Sequence, residues 1–431
     1  MTPAARISAA IEVLADIATR RRPASDALKD WGLAHRFAGS GDRSAIASLV
    51  YDGLRRKASA AYVMGDDSPR ATMIGMLHLQ HGHDLAAIEK LYSGDRFAPQ
   101  PLTDEEREKL SGATLDGAPA HVAGDFPEWL EKPLKAFFGD DVVPEMQALR
   151  ERAPLDIRVN GLKITREELQ NGLAHLSPIE TPHAPLGLRV PVGENGRSPA
   201  LQIEPEFIKG LFEVQDEGSQ LAAQIACAAP GEQVIDLCAG AGGKTLALSA
   251  MMENQGQIYA SDSDLRRLAP IHDRLTRAGV RNVQVRTPRG KDDPIEDLVA
   301  SADCVLVDAP CTGTGTWRRN PDAKWRLRPA SLAQRQQEQE RVLERAGALV
   351  KPGGRLVYVT CSILPAENDD AIDRFLAHHS GFSVKPVAEV LGDAGLTALE
   401  GLVRKTRHGL QMTPRLTGTD GFYVSVVNRK A

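Results

Sequence analysis

The sequence predicts an α/β protein: a parallel, doubly wound sheet preceded by a small α+β module and an all-α N-terminal region. Three observations carry the prediction. Beyond residue 219, apolar strands at 233–237, 257–261, 282–286, 303–307 and 355–359 alternate with helical segments, the pattern of parallel strands joined by helical crossovers. Between residues 146 and 218, short strands surround a capped helix. Up to about residue 145, β-branched runs are few and apolar residues recur at helical spacing. The implied domains are 1–145, 146–218 and 219–431.

Taken in order, the first helix has Thr2 as cap, Pro3 in its first turn and Ile7, Ile11, Leu14 and Ile17 on one face. Pro23 opens a second. Asp42 is expected to cap a third, whose face holds Ile46, Leu49, Val50 and Leu54 and which ends at Arg55-Arg56-Lys57, where cations suit the helix dipole. The Pro-, Gly- and Asp-rich segment 95–127 reads as loop. In the module, Leu155 to Val159 alternates as a strand, Thr165 and Glu168 form a capping box, and Leu188 to Val190 is a further strand.

With 431 residues, 42% of them hydrophobic and 25% charged, the chain can bury a large core, and it contains no apolar run of membrane-spanning length. The N-terminus lacks the basic start, apolar stretch and cleavage site of a secretory signal, so a cytoplasmic protein is expected. Five cysteines, Cys227, Cys238, Cys304, Cys311 and Cys361, make no Cys-x-x-Cys pair; neither disulfides nor a metal site are expected. A net charge of -5 excludes a uniformly basic coat. Local balances differ: residues 1–57 carry ten cations against six acids, 65–145 seven against sixteen, and 318–351 nine against four. Such stretches suit either solvated helix faces or a divided surface that neutralises phosphates.

The chemistry-bearing motifs follow strand ends. Asp236-Leu-Cys-Ala-Gly-Ala-Gly-Gly-Lys-Thr245 runs from the first sheet strand into a helix, so glycines admit a nucleotide-like ligand to the helix N-terminus. It is not a phosphate-binding Walker loop, since Cys238 stands where that motif needs glycine. The second strand ends in Ser261-Asp262-Ser263-Asp264, where Asp262 suits ribose hydroxyls and Asp264 a helix cap. The fourth strand ends in Asp308-Ala-Pro-Cys311 and the fifth in Thr360-Cys361-Ser362, so two thiols should face the crevice that holds the ligand. Cys227, on a predicted helix, and Cys304 read instead as small buried hydrophobes. Residues 316–328 hold five cations, one acid and two tryptophans. Arg318, Arg319, Lys324 and Trp325 there match what single-stranded RNA requires, phosphate neutralisation and an indole face, although such clusters also form surface ion-pair patches.

On these residues the chain resembles the RNA (cytosine-5) methyltransferase family of the RsmB/Sun type, over roughly 146–431. The resemblance also takes in Gln215 to Gln220, Arg318 to Trp325, Glu367-Asn368 and Asp420-Gly-Phe-Tyr423. The helical N-terminus is similar to a NusB-like RNA-binding domain through Asp42-Arg43 and Leu49-Val50-Tyr51, and the middle module to an RRM-like fold. The resemblance implies a Rossmann-like class I methyltransferase domain and S-adenosylmethionine as cofactor. It places Cys238, Ala239, Gly240, Ala241, Gly242, Gly243, Lys244, Asp262, Arg267 and Asp308 around that cofactor, with Cys361 as nucleophile, Cys311 assisting release and Asp308 at the base. The physics agrees, because carbon 5 of cytosine is too weak a nucleophile until a thiolate adds at carbon 6, and a stacked base must first be flipped or unpaired.

Two departures stand out. Gly240-Ala241 replaces the family's Ala-Pro, and the third strand runs into Thr287-Pro-Arg-Gly290 where the family has an acid; Arg289, Asp292, Asp293 or a backbone group is left for that contact. The leading reading is methylation of cytidine in small-subunit rRNA by a monomer without metal or membrane. Its rivals are a transfer RNA substrate, a non-catalytic RNA-binding assembly factor, which needs neither thiol, and a methyltransferase for protein or a small molecule, which needs no Arg-Trp stretch.

Overall fold

The computed structural model describes residues 1–191, 199–288 and 293–431. Two compact units divide the chain: one holds Met1–Arg152 together with Trp317–Leu327, and the other the remaining described residues from Ala153 onward.

The helical unit begins as expected. Thr2 Oγ1 accepts the Ala5 amide at 3.2 Å at the start of helix Pro3–Arg20, which buries Ile7, Leu14 and Ile17. The third helix, Ser40–Arg55, differs from the sequence reading: Gly39 is its cap, and Asp42 in its first turn is held by the terminal amine at 3.1 Å and by Arg6 Nε at 2.9 Å. Two cations compete for that carboxylate more effectively than a local amide. The expected loop at 95–127 contains helix Asp104–Ser111, with a complete Thr103/Glu106 capping box, and a short helix Ala120–Ala123. The Thr-x-x-Glu signal was present but lay among glycines and prolines. Helix Val142–Arg150 buries Glu145, Met146 and Leu149 and carries the helical unit past residue 145.

In the second unit, four antiparallel strands form the module among the described residues: β1 (Leu155–Val159), β2 (Ile179–Glu180), β3 (Gly187–Val190) and β4 (Phe212–Val214), in the order β2-β3-β1-β4. Ile157, Val159, Leu169, Leu188 and Phe212 form its core. The larger sheet has β5 (Gln233–Asp236), β6 (Gln257–Ser261), β7 (Val283–Arg286), β8 (Ala302–Asp308), β9 (Val350–Thr360), β10 (Phe382–Val384), β11 (Arg404–Lys405), β12 (Leu410–Met412) and β13 (Phe422–Arg429). Its order is β11-β12-β13-β9-β8-β5-β6-β7, with β10 on β13. The five expected strands are parallel, and β10 to β13 add an antiparallel flank. Alternate side chains enter opposite cores: Leu306, Val357 and Val359 on one face, Val305, Val307, Leu356 and Tyr358 on the other. Both faces are therefore covered, as a doubly wound sheet requires. Cys304 is fully buried, as expected, whereas Cys227 lies just past helix Glu217–Gln224 rather than on it.

Strand order reverses between β5 and β8, so the segments leaving their carboxyl ends run to opposite sides and open a crevice. Behind it, Gly421 N donates to Gly315 O at 2.8 Å, and Gly315 N donates to Cys361 O at 2.9 Å. A Cβ on Gly315 would lie 2.0 Å from Gly421 O, and one on Gly421 2.7 Å from Gly315 Cα. Gly421→Ala is thus expected to lower stability by about 1–3 kcal/mol, read as a reduced urea midpoint.

Candidate active site

Four strand ends meet the crevice in the lateral order β6, β5, β8, β9, bringing Asp262, the loop after Asp236, Asp308 and Cys361 along one edge. The loop closes through Gly242 N to Ala239 O at 2.8 Å and anchors to β6 through Ala239 N to Ser261 O at 2.9 Å. Gly242 caps helix Gly243–Met251 with φ of 83°, and a Cβ there would lie 2.6 Å from Ile271 Cγ1. Only glycine tolerates both conditions. Asp262 is buried; its Oδ2 accepts Gly240 N at 2.9 Å and its Oδ1 accepts Asp264 N at 2.8 Å. Each oxygen keeps a lone pair for a further donor, such as a hydroxyl. Arg267 approaches the same carboxylate at 3.9 Å, and Asp264 caps the next helix through Arg266 N.

Lys244 points from the first turn of its helix to Asp308, with Nζ 2.7 Å from Oδ2, and lies 5.2 Å from the centre of the Phe422 ring. Beneath the loop, Asp236 is fully buried. Its Oδ2 accepts Thr245 Oγ1 at 2.7 Å, while Oδ1 has no partner. Burial raises this carboxyl to about 7, with Thr245 partly opposing the shift.

The two thiols come together. Cys311 and Cys361, both half-buried, place their sulfurs 3.4 Å apart. Hydrogen bonding to Cys361, then burial, then the Cys361 charge hold Cys311 well above the ordinary thiol range. These effects favour the protonated form of Cys311, and either sulfur can donate in the S–H···S contact. Cys238, under the loop, is raised beyond the usual range by burial.

Sequence reasoning gave no role to Glu367, yet its carboxylate joins the two cysteine turns. It accepts Thr312 N at 2.8 Å, Thr312 Oγ1 and Ser362 Oγ at 2.5 Å each, and Gln339 Nε2 at 3.1 Å. Thr312 and Ser362 are the residues immediately after the two cysteines. Tyr358 OH donates to Glu367 O at 2.7 Å, and Asn368 Nδ2 donates to Ser362 O at 2.9 Å. Burial raises the Glu367 carboxyl, against the pull of its donors. Its spacing from Cys361 is visible in the sequence; its partner 55 residues earlier is not.

The Arg-Trp stretch is placed differently from a solvent-facing patch. Residues 317–327 belong to the helical unit, where Arg318 and Lys324 are 4% and 3% exposed. Arg319 is half-buried. Trp325 Nε1 donates to Leu54 O at 2.6 Å, Lys324 Nζ to Arg55 O at 3.3 Å, and Arg55 NH2 to Arg318 O at 2.8 Å. Burial pushes Lys324 down to about 7. Lys324 and Trp325 thus satisfy backbone carbonyls of the helical unit, and a buried polar seam needs the same residue types as an RNA surface. Arg55 itself, read in the sequence as a helix-end cation, is buried and also bonds Arg150 O at 2.8 Å. Of the candidates for the third-strand contact, Arg289 and Asp292 lie outside the described residues, and Asp293 is engaged by Ile295 N at 3.0 Å and by Arg345. Among the described residues no His, Cys, Asp or Glu cluster is arranged for a metal, and no helix is long and apolar enough to cross a membrane.

Family comparison places this geometry among known proteins. A family model described as 16S rRNA methyltransferase RsmB/F matches residues 223–428, and one described as an RsmF/B-like, ferredoxin-like domain matches 126–192. A probable ribosomal RNA small subunit methyltransferase B from Synechocystis sp. is 31% identical over 443 residues, covering 96% of this chain and 97% of that protein. The crystal structure of PH0851 has a TM-score of 0.72 at 26% identity, covering 100% of this chain and 99% of that one. A methyltransferase homolog protein from Pyrococcus horikoshii has 0.58 at 27% identity, covering 72% and 97%.

Asp236 sets a pH dependence. The unfolded chain sheds this proton near pH 4, whereas the folded chain keeps it to about 7. The folded state therefore binds more protons in that window, and stability falls as pH rises through it. Between pH 4 and pH 8, Asp236→Asn should gain on the wild type by up to about 4 kcal/mol. Urea titrations at the two pH values check this, and parallel pH profiles would refute it.

Proposed function

Since the chain belongs to the 16S rRNA methyltransferase RsmB/F family, we propose that it methylates carbon 5 of a cytidine in small-subunit rRNA through a transient Cys361 adduct. The observation that carries this reading is the pair of sulfurs 3.4 Å apart just past the carboxyl ends of β8 and β9. A methyltransferase acting on an already nucleophilic atom needs neither thiol.

The cofactor is S-adenosylmethionine, which when bound supplies an electrophilic methyl group. The donor set fits it: Asp262 retains acceptor capacity for ribose hydroxyls, and the loop and helix Gly243–Met251 bring backbone to the same crevice. Asp308, held by Lys244, stands between the loop and the thiols in strand order and is assigned to the base at its ring nitrogen 3 edge.

In the proposed sequence the Cys361 thiolate adds to carbon 6, forming a carbon–sulfur bond and moving an electron pair onto carbon 5. That pair takes the methyl group. Loss of the carbon-5 proton to water then restores the ring double bond and expels the Cys361 sulfur. Cys311, whose sulfur lies 3.4 Å from that of Cys361, is assigned to assist this release, its S–H hydrogen-bonding to the departing thiolate. Glu367 holds both turns in this relation.

Cys361→Ala is expected to abolish methyl transfer, a fall of at least about 10³-fold, with cofactor binding retained; undiminished turnover would remove Cys361 as nucleophile. Cys311→Ala should accumulate a covalent protein–RNA adduct, seen as a retarded band on denaturing gels. No adduct under methylating conditions would remove its release role. Bisulfite sequencing of total RNA from cells with and without the protein tests the substrate: one lost mark in small-subunit rRNA is expected, and a mark lost only from transfer RNA would redirect the assignment.

A further inference from the structure

We propose that Arg274 and Arg158 are positioning residues for the cofactor, and that through them the small α+β module sets the shape of the glycine-rich loop. The inference rests on the reading of that loop as the S-adenosylmethionine site. Arg274 NH1 donates to Ala241 O at 2.7 Å, and its NH2 donates to Glu213 Oε2 of β4 at 2.9 Å. Arg158 of β1 reaches the other side of the same loop: its NH1 donates to Gly243 O at 2.8 Å and also to Gln215 Oε1. Glu213 and Arg158 are 6% and 7% exposed, so these are desolvated, charge-assisted bonds rather than surface pairs.

The grip is built in layers. Helix Ile271–Ala278, which carries Arg274, is held at its far end by the module: Asn160 Nδ2 donates to Ala278 O at 2.9 Å and Lys163 Nζ to Arg277 O at 2.6 Å. Glu213 also takes Arg277 NH2 at 2.6 Å. A peptide unit is a rigid plane. Fixing the carbonyls of Ala241 and Gly243 therefore orients the two units that close the loop and begin helix Gly243–Met251. This chain has a particular need for such restraint. Gly240-Ala241 stands where the family carries Ala-Pro; proline fixes its own φ, whereas glycine widens the conformational range. Arg274 bonds the carbonyl of the very residue that replaces proline, so stiffness absent from the loop's covalent structure is supplied from outside it.

The test uses the full-length chain, with S-adenosylhomocysteine calorimetry and steady-state methylation of a 16S rRNA substrate. Arg274→Met should raise the Kd for S-adenosylhomocysteine and the KM for S-adenosylmethionine about tenfold. Saturated kcat and the KM for RNA should change little, and Arg274→Lys should recover most of the loss. In a Gly240→Ala, Ala241→Pro background the same Arg274→Met change should cost about twofold or less, because the loop then carries its own restraint. Glu213→Gln provides an independent route to the same cofactor-specific defect. An unchanged cofactor KM, an equal penalty in both backgrounds, or a fall in kcat and melting temperature without a shift in KM overturns the inference. Asp262→Ala separates the two levels: if it leaves cofactor affinity intact, the loop assignment itself fails; if it abolishes binding while Arg274→Met does nothing, only the positioning role fails.

Discussion

Two sulfur atoms on turns 50 residues apart in the chain stay in contact only if those turns are held from behind, and a buried carboxylate does the holding. Glu367 accepts donors from the residue after each cysteine and from Gln339. A carboxylate is suited to this because it offers about four lone pairs and no competing donor, so every contact reinforces the same geometry. The charge also faces the Cys311 thiol and adds to the forces that keep it protonated. The chemistry proposed for the thiol pair, one sulfur attacking and the other assisting its release, thus depends on a carboxylate that bonds the two turns rather than either sulfur.

The cofactor side is built on a different principle. There the topology decides position: β5 and β8 lie side by side, and the segments leaving them turn to opposite sides and border one crevice. Local charges then refine it. Lys244 pairs with Asp308, Asp262 is committed to two backbone amides, and Asp236 sits below with an unpartnered oxygen and a raised pKa. Burying that carboxyl is costly, and its retention beneath the loop shows how closely acidic groups are packed around this end of the sheet.

The candidate site was readable in the sequence where its signals are local. A strand running into a glycine-rich turn, an acid at the next strand end and cysteines just past two later strands all occupy short windows, and the structure brings Cys311 to Cys361 and Asp262 to Gly240 accordingly. The antiparallel flank β10 to β13 was not expected, because β10 to β12 are two or three residues long and carry little periodicity of their own. The helix at Asp104–Ser111 was hidden for a related reason: surrounding glycine and proline outweighed a capping box that only its neighbours confirm. Glu367, Arg274 and Glu213 were missed because their meaning lies in partners tens of residues away.

The Arg-Trp stretch marks the boundary between the two sources of information most clearly. By itself the sequence determined the doubly wound sheet, the crevice-lining motifs and the two thiols, since hydrophobic period and turn chemistry act over a few residues and dictate which segments become strands and where they stop. Only the tertiary structure decided that Lys324 and Trp325 turn inward to backbone carbonyls, that Asp42 pairs with the terminal amine rather than capping its helix, and that Arg158 and Arg274 bond carbonyls of the glycine-rich loop. A cation or an indole is chemically the same whether it faces water, RNA or a buried carbonyl. Which of these it meets is settled by burial, and burial is a property of the packed chain rather than of any window within it.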